Sequence, residues 1–282
     1  MPSLQTIGAS LYQQEAGTGP THIVFLHGLG GSSNYWQRVA QHLDLGQFTI
    51  HLVDLLGFGR SPWPPVAYAV DDHLDALEGW RRIALGDSET AVVGHSLGAI
   101  IAAEWADRCP IITRLVLVSY PVIRDSQAAR RRLEGLSMMN RLTLGSPPLA
   151  HAVCAVMCHS RPLWRLVAPL LAQEVPADVA RDAVLHTEAS FFGTLEHTIL
   201  AQRGGSHTSV QPALYVHGSA DPLTPLTDLR AFVASRRDGE LALVPNAGHD
   251  LPLTHPTELA ALIDAFLRGS GTKGAPPASR PG

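Results

Sequence analysis

Apolar residues in this chain gather in short runs, separated by longer stretches where they recur at helical spacing. The runs at Thr21–Leu26, Phe48–Val53, Thr90–Val93, Arg114–Ser119, Ala213–His217 and Glu240–Val244 are rich in β-branched and other apolar residues, which suits buried strands. Helical patterns fill the intervals over about Ser33–Leu43 and Val70–Leu85, and again from Leu97 to Arg108 with Pro110 as a stop. A short antiparallel pair over residues 4–14 is expected to open the sheet at its edge. The alternation of strand and helix argues for a parallel sheet. From Pro121 to about Gly205 the pattern changes. No strand-like run occurs there, only helical segments punctuated by Gly145, Pro147-Pro148, Pro162, Pro169, Pro176 and Gly204-Gly205. Residues 121–205 are therefore expected to form a helical cap inserted into a core made of residues 1–120 and 206–268. Residues 269–282 carry almost no large apolar side chains and are expected to be a disordered tail.

The stretch Val92-Val93-Gly94-His95-Ser96-Leu97-Gly98 sets a serine between two glycines where a strand run ends and a helical one begins. That arrangement reads as a nucleophile elbow. The serine is held in a strained turn with its hydroxyl exposed, and small residues two positions before and after let strand and helix approach closely. Acyl transfer also needs two donors aimed at the developing oxyanion. The loop His27-Gly28-Leu29-Gly30-Gly31, directly after a strand run, offers the Leu29 N–H, and the residue after the nucleophile offers the Leu97 N–H.

Two later strand exits complete the pattern. Gly218-Ser219-Ala220-Asp221-Pro222 follows one strand, and Pro245-Asn246-Ala247-Gly248-His249-Asp250 follows the next. Ser96, Asp221 and His249 thus occur in the order nucleophile, acid, base, each just past the C-terminal end of a predicted strand, where open α/β sheets place active sites.

With the landmarks HGLGG, DLLGFGRS, GHSLG, GSADPLTP and NAGH all in register, the chain resembles the α/β-hydrolase fold superfamily, serine-hydrolase branch, over about residues 20–120 and 210–268. The resemblance implies a mostly parallel eight-stranded sheet flanked by helices, with the helical cap after the sixth strand. It also implies a triad of Ser96, Asp221 and His249 and a structural role for Asp54. Epoxide hydrolases and haloalkane dehalogenases of this superfamily carry aspartate at the elbow and dienelactone hydrolases carry cysteine, whereas this chain carries serine. Serine chemistry implies attack on an activated carbonyl and an acyl-enzyme. The expected activity is hydrolysis of a carboxylic ester, with lactones and thioesters inside the same chemistry. A carbon–carbon hydrolase of the meta-cleavage type, a perhydrolase or acyltransferase, and a non-catalytic ligand sensor on the same fold are the alternatives.

Composition narrows the partners. At 45% hydrophobic and 16% charged residues with a net charge of −4, the 282-residue chain can bury a large core and gives no reason to expect nucleic acid or an anionic membrane. No run of about 18 apolar residues marks a membrane span, and the first residues lack a basic and apolar leader. With three cysteines, an odd number, the expectation is a cytoplasmic location and no disulfide framework. A small-molecule, ester-like substrate is expected, with no cofactor and no metal; the sequence is silent on oligomeric state.

The cap is expected to roof an apolar pocket, for which Trp36, His95, Met157 and Phe191 are the candidate lining residues. Other features have plainer readings. His151, Cys154, Cys158 and His159 share helical spacing but lack a paired C-x-x-C, so packing explains them better than a metal. Arg130-Arg131-Arg132 reads as a solvated helix face, and Asp250 as the cap of the turn after the base. Asp125, after the sixth predicted strand, is the alternative acid; His217 and His255 are rival bases outside the NAGH landmark.

Overall fold

The computed structural model of the protein describes residues 11–135, 147–202 and 210–269. Seven strands form one sheet: β1 (Gln13–Ala16), β2 (Thr21–Leu26), β3 (Phe48–Val53), β4 (Thr90–His95), β5 (Ile112–Val118), β6 (Ala213–Gly218) and β7 (Gly239–Val244). Their order is β1-β3-β2-β4-β5-β6-β7. Only β1 runs antiparallel to its neighbour, and its polar residues Gln13-Gln14-Glu15 suit an edge. The sheet therefore has seven described strands where eight were expected. The earlier member of the expected edge pair falls on residues 4–10, outside the described residues, and the helical insertion follows the fifth described strand.

Successive residues of the inner strands bury opposite faces of the sheet, as the two-residue strand period requires. Val24, Leu26 and Val92 join a cluster on one face with the helices Val70–Ala84 and Leu97–Arg108, around Trp80 and Trp105. Ile23, Phe25 and Val93 join the other, with Trp36, Val39 and the helix Pro256–Leu267. The helix expected over Ser33–Leu43 is split into a 3-10 turn, Ser33–Trp36, and a short helix, Gln37–Ala40.

The order of strands determines where the loops meet. From β2 the chain runs outward to β3, then returns to β4 on the other side of β2, so the loops after β2 and β4 leave adjacent strand ends with Leu26 paired to Gly94. An open α/β sheet has its ligand crevice at such a reversal. β6 and β7 are likewise adjacent, with Gly218 paired to Val244. The exits of β2, β4, β6 and β7 thus lie along one edge of the sheet.

The insertion between β5 and β6 is uneven. Its later part, through the helices Ala177–Asp182 and Glu188–Thr194 and a π turn at Leu195–Ile199, sends Val179 into one core cluster and Leu195, Ile199 and Leu200 into the other. Its earlier part, with the helices Ser126–Gly135, Pro147–His159 and Arg161–Leu171, buries Cys154 and leaves Val156, Leu163, Leu166, Leu170 and Leu171 60–72% exposed. Among the described residues no helix is long and apolar enough to cross a membrane.

Candidate active site

Ser96 directly follows β4 with φ +53° and ψ −112°, a conformation that L-residues rarely adopt. The crowding around it shows why glycines flank it. A Cβ at Gly94 would lie 2.3 Å from the Gly98 carbonyl oxygen, and one at Gly98 would lie 2.2 Å from that of Leu26. The helix Leu97–Arg108 can therefore start directly against β2 and β4, with its N-terminal dipole at the serine. Leu97 is its first residue, and among the described residues no acceptor takes the Leu97 N–H. The Leu29 N–H is in the same condition, and Leu29, Ser96 and His249 line one cavity of about 240 Å³.

The loop carrying Leu29 is held from behind. Leu55 N–H donates to His27 Nε2 at 3.0 Å, so the proton sits on Nδ1, which donates to the Gly28 carbonyl at 2.7 Å. Burial lowers the His27 pKa despite the nearby Asp54 and Asp182, and the ring stays neutral. Asp54 is fully buried and accepts from the backbone N–H groups of Ser33 and Arg60. Asp182, 2% exposed, reaches in from the insertion and accepts from Ser32 Oγ (2.9 Å), Asn34 Nδ2 (2.7 Å) and Arg60 (3.0 Å). Removing one partner of a buried charged network strands the others. Asp182→Ala is expected to cost about 2–3 kcal/mol, toward the low end because Arg60 is partly exposed. Urea denaturation checks this, and an unchanged midpoint would show that the loop does not depend on Asp182.

Asp221 Oδ2 lies 2.8 Å from His249 Nδ1. The carboxylate also accepts from the Thr224 hydroxyl at 2.7 Å and the Leu223 N–H at 2.8 Å. Burial on its own raises the Asp221 pKa, but the hydrogen bond and charge of His249, with these donors, outweigh it and hold the carboxyl well below the usual carboxylate range. His217 is buried, with Nε2 donating to the carbonyl of Thr224, the residue whose hydroxyl donates to Asp221. His255 is tied to the Thr254 hydroxyl, at the start of the next helix. Asp125 caps the helix Ser126–Gly135 through the N–H groups of Gln127 and Ala128 and is exposed. Ser96 and His249 share the cavity with no hydrogen bond between their side chains among the described contacts. Such contacts are often long without substrate and tighten when it binds.

Two side chains hold the backbone of the histidine. The His249 carbonyl accepts from His95 Nε2 at 3.0 Å and from the Ser119 hydroxyl at 2.9 Å. Ser119 ends β5 at φ +50°. Burial, then the proximity of His249, pushes the His95 pKa down to about 4, so its ring is a neutral donor here. His95 also lines the cavity, packed between Tyr35 and His249 with ring centroids 5.0 and 4.9 Å away. No motif points to Ser119, which reads as an ordinary strand exit.

The other expected lining residues lie elsewhere. Trp36 is fully buried against Phe25 on the far face of the sheet, because the 3-10 turn directs its neighbour Tyr35 to the cavity instead. Phe191 packs on His186 and Phe192, 3.5 Å from where a Cβ on Gly30 would stand, and Met157 is not among the lining residues. The wall comes from Val122, Ile123, Leu133, Leu195, Ile199 and Leu223. Asp250 does not cap its turn with its side chain; its Oδ1 accepts from the Tyr35 hydroxyl at 2.7 Å. The cap cluster diverges: His151 pairs with Glu188, His159 bonds the Ala155 carbonyl, and Cys154 and Cys158 Sγ atoms stand 3.9 Å apart.

The sequence pattern that defines the alpha/beta hydrolase fold matches residues 21–256. Lipase LipV of Mycobacterium tuberculosis is 27% identical over 266 residues, covering 90% of this chain and 96% of that protein. A probable lysophospholipase of Arabidopsis thaliana, BODYGUARD 4, is 28% identical over 81% of this chain, which spans only 60% of the length of that relative. The crystal structure of E-2-(acetamidomethylene)succinate hydrolase superposes with a TM-score of 0.71 at 22% identity, covering 92% of this chain and 95% of that one, which is a likeness of fold.

Proposed function

Because the chain belongs to the α/β-hydrolase fold family, we propose that it is a serine hydrolase that cleaves a carboxylic ester of a small to medium apolar acid or alcohol. The observation that carries this reading is the 2.8 Å Asp221–His249 hydrogen bond at a cavity shared with a serine in a strained elbow. The apolar wall and a volume of about 240 Å³ support the substrate class, since pockets for drug-sized ligands start at about 300 Å³. The lipase and lysophospholipase names among the relatives point the same way.

In this mechanism Ser96 Oγ attacks the ester carbonyl carbon while His249 Nε2 takes the hydroxyl proton. The carbonyl oxygen becomes an oxyanion that accepts from the Leu29 and Leu97 N–H groups, at the positive end of the helix Leu97–Arg108. Asp221 keeps the proton on His249 Nδ1 and stabilises the imidazolium. The imidazolium returns its proton to the departing alkoxide, leaving an acyl group on Ser96. Water, deprotonated by the same nitrogen, then releases the acid.

Intact-protein mass after exposure to a neutral fluorophosphonate tests nucleophile activation without knowledge of the substrate. One adduct per chain is expected in the wild type and none in Ser96→Ala. A folded wild type that takes no label would overturn the proposal.

A further inference from the structure

Three consecutive arginines on the helix Ser126–Gly135 have three different environments. Arg130 is ion-paired with Glu196, and Arg131 donates to the Gln127 side chain at 2.7 Å. Arg132 lines the cavity. Among the described side chains no carboxylate is ion-paired with it. Arg131 and Arg132 are both exposed, as a solvated helix face requires, and Arg132 in addition lines the cavity.

A guanidinium beside an apolar lining that includes Val122, Ile123, Leu133, Leu195 and Ile199 adds nothing to the binding of a neutral apolar chain. It favours an anion, because it presents planar paired donors and a fixed positive charge. The cavity is polar in a second sense. Asp250 lines it beside His249, with Asp221 hydrogen-bonded behind, and Arg132 lines it from the helix Ser126–Gly135. An anionic substituent is repelled by these carboxylates and attracted to Arg132, which would leave the ester group of the same molecule at Ser96.

We propose that the substrate carries an anionic group, a carboxylate or a phosphate, at the end away from the scissile ester, and that Arg132 binds it. The inference rests on the serine-hydrolase reading for the orientation of the ester, while the anion site itself can be read without turnover. Because Arg132 touches a part of the substrate remote from the reacting carbon, its contribution falls on KM more than on kcat.

The test compares p-nitrophenyl hexanoate with two analogues of matched chain length, mono-p-nitrophenyl adipate and p-nitrophenyl 6-phosphonooxyhexanoate. The wild type is expected to prefer at least one anionic ester by about tenfold in kcat/KM, chiefly through KM, and to lose the preference at high salt. The better of the two identifies the anion. Arg132→Gln should bring the ratio close to one, and Arg131→Gln should preserve it. Each ratio is taken within one variant, so a partial loss of folding cancels. A wild-type ratio of one or below for both anions, or a ratio that survives Arg132→Gln, overturns the proposal. Failure of all three esters together with absent fluorophosphonate labelling counts instead against the serine-hydrolase reading. In that event the rise in Tm with hexylphosphonate decides: lost in Arg132→Gln, it supports the anion site; equal in both proteins, it refutes it.

Discussion

Ser96→Ala should lower kcat by about 10⁶, the size of loss found when the nucleophile of a serine triad is removed, while leaving the fold intact. The expectation of intact folding comes from the backbone. The strained Ser96 backbone is held by the close packing that Gly94 and Gly98 allow against Gly98 and Leu26 backbone atoms, and by a Ser96 N–H that donates to the Val118 carbonyl at 2.9 Å. Alanine keeps each of these contacts. The residual rate should reflect substrate positioning and the Leu29 and Leu97 donors alone. Turnover of p-nitrophenyl hexanoate by the purified variant, measured beside a thermal melt, checks both halves. A variant that is folded and still fast would remove Ser96 from the chemistry and leave the strained geometry of the turn without its proposed purpose.

The second large effect is expected at the acid. Asp221→Asn should reduce kcat by about 10⁴, because an amide in place of the carboxylate lets His249 adopt the wrong tautomer and no longer offsets the imidazolium. Asp125→Asn should leave the rate near that of the wild type, since Asp125 only caps a helix through Oδ1 and asparagine caps as well. The reverse ranking would transfer the acid to the end of β5. The depressed Asp221 pKa has a second consequence. A carboxyl whose folded pKa lies below its unfolded value stabilises the fold above the ordinary carboxylate range, and that contribution disappears as pH falls toward the lowered value.

What could be read from the chain follows from how local each signal is. The inner strands were legible because sheets covered on both faces need continuous apolar runs, and the strand exits were legible because turns need Gly, Pro, Asn and Asp. The Ser96 elbow announces itself through the spacing of two glycines that the packing makes necessary. Long-range partners leave no such trace. Asp182 is 150 residues from Ser32, and nothing around it distinguishes it from an ordinary helical acid. Trp36 and Tyr35 are adjacent aromatics, and which of them meets the cavity depends on a 3-10 turn rather than on either side chain. Met157 and Phe191 lie in helices with apolar residues on several faces, where periodicity does not single out the face turned toward the site. The three arginines are indistinguishable in sequence and differ only through Glu196, Gln127 and the cavity.

The uneven insertion between β5 and β6 makes the molecule divisible for evolution and for engineering. Residues 177–200 are knit into both core clusters and hold the loop after β2 through Asp182, so changes there reach folding and the cavity together. Among the described residues of 126–171, Ala129, Arg132 and Leu133 line the cavity, while most of the helix Arg161–Leu171 stays out of the core. Exchange of that segment between relatives would transplant substrate preference as a cassette, with the reacting groups left undisturbed, provided the graft ends before Ala177.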